Sequence, residues 1–261
     1  MKTFLTNSVC IGIAWLFFVP LQAQNIVIND TLAANSQPLN VKMGTAGFGK
    51  IPKWKFGEYA VVQSKAGPVK TNFRSNLFNT KAESKSTQKI SFTLCNQTSD
   101  SAMVNAAKGI NIETVQGIRI SPHLTLGEDE LILDAMKFMA EININGDTTD
   151  TWILIVNSER GTKSDNTSNG WLTNGIQKFV IVPASSNKYG TDKRIPPAEG
   201  FELLENNQAG MAMQYYGGGV LGLNKKMVWI DNRLDPKLKL ILAAAATALM
   251  QLKLDEYAGA M

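Results

Sequence analysis

Besides its carboxylates, this sequence offers His123 and Cys95 as candidates for nucleophilic or acid–base chemistry. His123 is the only histidine, so any Ser-His-Asp or Cys-His arrangement would depend on it. The chain contains no G-x-S-x-G nucleophile elbow, and no basic residue beside Cys95 in sequence would activate its thiol. We therefore interpret His123 as a surface residue and Cys95 as a small packed side chain, and we predict no catalytic residue.

Two further motifs resemble binding sites but lack an essential part. Residues 44–50, GTAGFGK, match G-x-x-x-x-G-K, but Ile51 stands where a phosphate-binding loop has the Ser or Thr that holds Mg²⁺. The acidic run Glu128-Asp129-Glu130, with Asp134 nearby, lacks the spacing of a calcium loop. We interpret them as a glycine-rich loop and a solvated turn, and predict no nucleotide, no metal and no other cofactor.

The charge of the chain is concentrated in one segment. Residues 41–90 carry ten Lys or Arg and two Glu, a net charge of +8, whereas residues 91–261 have a net charge of −4. Aromatic residues are interleaved with the basic ones, a composition that suits an anionic partner such as a lipid headgroup or a polysaccharide. The alternative is a lysine-rich solvated face that prevents edge-to-edge aggregation of strands. The candidate anionic-ligand residues are Lys50, Lys53, Trp54, Lys55, Lys65, Lys70 and Arg74.

The elements that would position these residues begin after an export signal. Lys2 precedes the apolar run Val9–Val19, and Ala23 offers a small residue for cleavage, which is the layout of a signal peptide over residues 1–23. The run is shorter than the roughly 20 residues of a membrane-spanning helix. We therefore expect a periplasmic, envelope-associated or secreted protein, with an irregular segment over residues 24–57.

Residues 58–261 have the pattern of a single β-rich domain. Ile90–Leu94 alternates apolar and polar residues, which is typical of a half-buried strand, and Ala102–Ala106 is its expected hairpin partner. Asn145-Gly146 predicts a hairpin turn because both residue types accept positive φ. Roughly nine or ten strands are expected, in a barrel or, alternatively, a sandwich.

The pattern changes at Asp235-Pro236, which is a strong helix start. A helix is predicted over residues 236–252, and its centre, Leu240–Met250, carries no charge. A helix that is apolar on every side must be buried on every side, and eleven apolar residues are too few to span a bilayer. The economical arrangement is a thin hydrophobic helix surrounded by antiparallel β-strands.

The C-terminal part of this pattern resembles the tubby-like superfold, which includes tubby C-terminal domains, phospholipid scramblases and LURP-one-related proteins. The resemblance is carried by Val228–Asp231, Leu234–Lys239 and Leu240–Leu252. It implies a β-barrel around a hydrophobic C-terminal helix. No lipid-binding motif of these families can be matched residue by residue.

Together these observations favour an exported, non-enzymatic protein that binds an anionic lipid or glycan through its basic segment. A nucleic-acid partner is not expected, and the oligomeric state is left open. Two alternatives remain at this point. The many carboxylates beyond residue 110 would allow a carboxylate-based secreted hydrolase, and the export signal would also suit a structural protein of envelope assembly.

Overall fold

The computed structural model describes residues 25–75, 81–115, 118–121, 124–126, 130–159, 170–190, 197–218 and 225–259. The predicted signal peptide (residues 1–23), His123 and the acidic residues 128–129 lie outside these ranges. The described part is mainly β, as predicted, and contains two α-helices and sixteen strands.

The helices are α1 (Asp30–Asn35) and α2 (Pro236–Gly259). The strands are β1 (Leu39–Asn40), β2 (Lys42–Met43), β3 (Trp54–Phe56), β4 (Tyr59–Ala66), β5 (Lys70–Ser75), β6 (Lys81–Cys95), β7 (Ser101–Val115), β8 (Ile118–Ser121), β9 (Leu124–Leu126), β10 (Glu130–Ile144), β11 (Trp152–Glu159), β12 (Gly170–Thr173), β13 (Lys178–Ser185), β14 (Glu199–Glu205), β15 (Gln208–Tyr216) and β16 (Met227–Ile230).

Fourteen of the strands form one antiparallel, nearly closed barrel-shaped sheet. Its order runs β1-β16-β15-β14-β13-β12-β11-β10-β7-β6-β4-β3-β2, and β5 also pairs with β6. The first and last strands in this order are neighbours in the chain, separated only by Val41. Residues 39–43 therefore join the two ends of the sheet, because β1 pairs with β16 and β2 pairs with β3.

Helix α2 lies inside this barrel, which confirms the predicted architecture. Asp235 caps it, since its carboxylate accepts a hydrogen bond from the Leu238 backbone N–H at 3.0 Å. Residues 240–252 are all buried, and the four alanines Ala243–Ala246 have no exposed surface. The hydroxyl of Thr247 donates to the Ala243 carbonyl at 2.9 Å, so the one polar group in this centre is satisfied within the helix. The helix ends at Gly259, seven residues beyond the predicted end.

The hairpin turns follow the predicted chemistry. Asn145 and Gly146 both have positive φ, and the Asp147 N–H donates to the Ile144 carbonyl at 2.9 Å. The same conformation recurs at Asn206-Asn207 between β14 and β15. The predicted pairing of Ile90–Leu94 with Ala102–Ala106 is present within β6 and β7.

The structure differs from the sequence-based prediction in the number and length of the strands. Strands β6, β7 and β10 each contain 15 residues and continue beyond their apolar, alternating portions. Residues 81–89 are almost entirely polar, so no periodicity marks them. Strands of two to four residues, such as β1, β2 and β12, are too short to show any periodicity.

The segment that was expected to be irregular, residues 24–57, contains α1 and strands β1–β3 from Asp30 onwards. Residues 25–35, here called the strap, cross the outer surface of the barrel. Ile26 and Leu32 are buried there against Ala212 and Trp229 in a second apolar cluster outside the barrel. The Ile26 N–H donates to Gln214 Oε1 at 3.0 Å, and the Val27 N–H donates to the Ser185 carbonyl at 3.2 Å. The strap is thus part of the folded domain.

Candidate anionic-ligand surface

The six cationic residues predicted to bind an anion are all solvent-exposed, and they fall into two groups. Lys55 lies on β3 directly opposite Lys42 on β2, near the closure of the sheet. Lys65 lies five residues beyond Ala60, the partner of Lys55, which corresponds to about 16 Å along β4. The structure therefore does not bring all six residues together.

Trp54 corrects the predicted set, because it is not a surface residue. Its side chain is fully buried in the barrel, and its indole N–H donates to Gln251 Oε1 of α2 at 3.2 Å. The alternation within β3 turns Trp54 and Phe56 inward and Lys55 outward. Trp54 therefore contributes to packing around the helix and is not available to an external ligand.

The second group surrounds a groove on the outer face of the sheet. Lys65 pairs with Ser91, so Lys89 is its diagonal neighbour on β6, with Cβ atoms about 7–8 Å apart. Both lysines line a groove of about 590 Å³, together with Gly67, Ala107, Met139 and Glu141. We call this the basic groove. Small residues form its floor, while the lysines and Met139 stand at its sides.

Register places further cations next to the basic groove. Lys70 on β5 lies opposite Thr87 on β6 and is therefore diagonal to Lys89. Thr87 in turn pairs with Gly109, which pairs with Lys137 on β10. An added Cβ at Gly109 would meet nothing within 4 Å, so the surface between these lysines is open.

The glycine-rich loop brings Lys50 to the same place. The Ala66 N–H donates to the Gly49 carbonyl at 2.7 Å, which ties the β2–β3 loop to the end of β4 beside Lys65. This loop precedes strand β3 and joins two antiparallel strands, whereas a phosphate-binding loop of the P-loop type precedes a helix. Arg74 continues the exposed cations along β5.

The lysines of the basic groove carry unneutralised charge. In the described part of the chain, the side chains of Lys50, Lys65, Lys70 and Lys89 form no ion pair, whereas ion pairs join Arg233 to Asp231, Lys237 to Asp150 and Lys253 to Glu256. Glu141 lies three strands from Lys65 across the sheet, so their backbones are about 14 Å apart. Unpaired like charges on neighbouring strands oppose folding, and an anionic ligand would relieve that repulsion.

Sequence reasoning did not single out Lys89, Lys137 and Met139 as site residues. Extending the alternation of Ile90–Leu94 by one residue would have placed Lys89 on the outer face. Lys137 and Met139 precede and follow Phe138, which is buried inside the barrel, and they alternate with it in the same way. Their proximity to Lys65 follows only from the strand order, which no local pattern specifies.

A second polar cluster lies at the C-terminal end of α2, and its tyrosines bond to one shared carboxylate. The hydroxyls of Tyr215 and Tyr257 donate to Glu199 Oε2 at 3.3 and 3.5 Å, and the ring of Tyr257 stacks on that of Tyr216. Burial, with the nearby charge of Glu199, raises the pKa of Tyr215 far above its usual value. Lys253 lies over the Tyr215 ring at 5.5 Å. These contacts fasten the helix to β15, so we assign the cluster a structural role.

The described residues show no assembled catalytic or metal centre. Cys95 is half-buried at the end of β6, where its backbone pairs with Ser101 and Ala60. Among the residues that the structure describes, no three His, Cys, Asp or Glu side chains are grouped so as to hold a metal ion. Neither described helix combines the length and the apolar character needed to cross a membrane.

Comparison with known proteins gives no relative from which a function could be inferred, so a proposed function must rest on the geometry of the basic groove. No protein-family model, no curated protein and no solved structure matches the chain.

Proposed function

We propose that this protein is an exported, non-enzymatic binding module whose basic groove holds the headgroups of an anionic lipid or the acidic groups of an envelope polysaccharide. The observation that carries the proposal is the pair Lys65 and Lys89, which flank one groove without an ion-pair partner in the described part of the chain. Lys50 and Lys70 lie beside it through backbone contacts and strand register. Because the lysines are positively charged, the groove favours an anionic ligand, and the exposed Met139 offers that ligand an apolar contact.

The test is co-sedimentation with vesicles of neutral phosphatidylcholine, with and without anionic phosphatidylglycerol, at increasing salt. Each lysine near an anionic surface contributes about 1 kcal/mol. The double variant Lys65→Gln/Lys89→Gln should therefore bind anionic vesicles about thirtyfold more weakly than the unmodified protein. A parallel pull-down with an acidic polysaccharide distinguishes the two sources of negative charge.

A matched control comes from the other side of the barrel. Lys178 on β13 and Lys188 in the connection between β13 and β14 are exposed, so Lys178→Gln/Lys188→Gln removes the same two charges away from the basic groove. This control should leave vesicle binding nearly unchanged. Equal binding to neutral and anionic vesicles, or equal loss in the control and in Lys65→Gln/Lys89→Gln, would contradict the proposal.

Export is the second part of the proposal. Cleavage after Ala23 would leave the whole strap, with the buried Ile26 and Leu32, in the mature chain. The mass of the protein recovered from an envelope or periplasmic extract should correspond to a chain that begins at Gln24. A chain that retains Met1 would contradict cleavage.

The enclosed position of α2 also supports the proposed relationship to the tubby-like superfold. The same arrangement was expected from the resemblance of residues 228–252, and it makes the helix the most protected part of the domain. Amide hydrogen exchange should be slowest within Leu240–Met250. Exchange in this segment as fast as in the hairpin turns would argue against an enclosed helix and against the relationship.

A further inference from the structure

The β2–β3 loop presents a large apolar side chain to solvent. Phe48 is fully exposed, between Gly47 and Gly49. The Lys50 N–H donates to the Gly47 carbonyl at 3.1 Å, which closes a four-residue turn with Phe48 at its first corner. Gly49, at the second corner, has a φ of +65°, as a type II turn requires. The turn therefore fixes Phe48 in a projecting position.

A second apolar side chain projects from the adjacent β4–β5 loop, residues 67–69. Val69 is 60% exposed and directly precedes Lys70. The two loops are joined where the Ala66 N–H donates to Gly49, and the Gly67 N–H donates to the Lys89 carbonyl at 2.8 Å. Phe48 and Val69 thus extend from two loops that are anchored beside the basic groove.

We propose that Phe48 and Val69 insert into the interfacial region of an anionic bilayer while Lys50, Lys65, Lys70 and Lys89 contact its headgroups. This inference rests on the proposed function and commits it to a lipid surface. Apolar side chains surrounded by unpaired cations match a bilayer that is negative at its surface and apolar a few ångströms below. A polysaccharide would use the cations but would give a phenylalanine at a loop tip no apolar phase to enter.

The size of the apolar feature favours a bilayer over a protein partner. A stable protein interface covers about 800 Å² on each partner and has an apolar centre. Here two side chains project from loops, and the neighbouring surface carries exposed lysines with separate exposed apolar side chains such as Met139 and Phe73. A bilayer needs no complementary shape, and one buried aromatic side chain adds to the electrostatic attraction.

The direct test places an environment-sensitive fluorophore at the loop tip. The protein, expressed with its native N-terminal segment and purified after export as the chain that begins at Gln24, would carry Phe48→Cys with Cys95 replaced by Ala. An NBD label at position 48 should increase several-fold in intensity and shift to the blue with phosphatidylglycerol vesicles, and doxyl lipids should quench it. The control is the same label at Ile176→Cys, a 92% exposed position in the β12–β13 turn, which should not respond.

Affinity measurements test the same inference without a label. Phe48→Ser should weaken binding to anionic vesicles about tenfold and leave the salt dependence unchanged, because it removes apolar burial and no charge. Phe48→Leu should bind nearly as tightly as the unmodified chain. Both variants should fold normally, since the side chain contacts solvent.

The outcomes separate this inference from the proposed function. Salt-dependent binding to anionic vesicles, with no response at position 48 and no effect of Phe48→Ser, would overturn insertion and leave electrostatic lipid binding in place. Binding to the acidic polysaccharide but to no vesicle would overturn the lipid surface and retain the basic groove. No binding to either would contradict both proposals.

Discussion

The outer surface of the barrel has two halves that differ in what lies over them. Over β13–β16 the strap packs against the sheet and buries Ile26 and Leu32, so this is the covered half. Over β4, β6, β7 and β10 the outward side chains face solvent, so this is the exposed half. Both halves surround the same helix, and their inner faces belong to one apolar cluster.

The covered half is largely apolar on both faces of the sheet. All four residues of β16 are buried, with Val228 and Ile230 against the barrel interior and Met227 and Trp229 in the cluster under the strap. Gly200 leaves room for the strap, since a Cβ there would come within 2.7 Å of Ile26. A polar contact also fastens the strap, because the Asn29 N–H donates to the carboxylate of Glu202 at 2.6 Å.

The exposed half shows alternation between buried and exposed residues instead. In β7, Ala102, Val104 and Ala106 are buried inward, while Met103 and Asn105 are exposed. The outward positions of the neighbouring strands include Lys65 and Lys89. The comparison teaches that the composition of an outward face follows what covers it. A covered face is largely apolar, and the Glu202 carboxylate that it keeps is bonded to the strap, whereas an uncovered face keeps exposed charges for solubility and for a ligand.

The largest expected effect comes from the interior that both halves share. Ala245→Asp should abolish cooperative folding, because it buries an unpaired carboxylate in the centre of α2. Circular dichroism and thermal melting would show the loss in both halves together. A soluble variant that melts cooperatively near the wild-type temperature would mean that α2 is not enclosed.

The next effect distinguishes the halves directly. Leu32→Ala removes a fully buried side chain from the strap and should lower the free energy of unfolding by about 2–5 kcal/mol. Met139→Ala, a truncation on the exposed half, should change it by less than about 0.5 kcal/mol. Urea denaturation would measure both. Similar losses in the two variants would mean that the exposed half is also covered.

Asp231 tests the attachment of the strap to the barrel end. Its carboxylate accepts hydrogen bonds from Arg233 Nη2 at 2.7 Å and from the Arg233 backbone N–H at 2.9 Å, while the Asn232 N–H donates to the Asn35 carbonyl at the end of α1. The hydrogen bonds and charge of Arg233 lower the pKa of Asp231. Because Arg233 is largely exposed to solvent, Asp231→Asn should destabilise the fold only modestly at pH 7, by about 1 kcal/mol or less.

The pH dependence has a defined sign for this residue. Because the folded pKa lies below the unfolded value near 3.9, the ionised carboxylate stabilises the protein above that value. The stabilisation is lost as the pH falls through the folded pKa. Denaturation at pH 7 and below pH 4 should show the difference between Asp231→Asn and wild type shrinking in acid. A constant difference would mean that the Arg233 contact does not depend on the charge.

Asp255 should have the smallest effect on stability, and the dependence of that effect on pH should have the opposite sign to that of Asp231. Burial raises its pKa, while Gln251 and Lys108 on β7 oppose the rise and Glu256 adds to it. Stability should therefore fall as the pH rises from the unfolded value near 3.9 through the folded pKa. Asp255→Asn keeps an acceptor for Gln251 and should raise the Tm at pH 7 but not at pH 3.5. A lower Tm at pH 7 would show that attraction to Lys108 outweighs the burial.

Local patterns in the sequence predicted the features that depend on neighbouring residues. The cap at Asp235, the turn at Asn145-Gly146 and the alternation of Ile90–Leu94 all appeared where expected. The prediction that Trp54 is exposed was wrong, because the composition of a basic segment does not show which residues of a three-residue strand point inward. The strap was missed because its burial depends on strands β13–β16, which follow it by about 150 residues or more.

By itself, the sequence determined that a charge-free helix must be enclosed and that β-strands of alternating pattern would enclose it. These are consequences of periodicity, because a side chain's face follows from its spacing along one element. Only the tertiary structure decided which outward face would be covered, and which lysines would share a groove. Strand order and register bring Lys65 and Lys89 together and place Phe48 beside them, through contacts between residues that are distant in the chain.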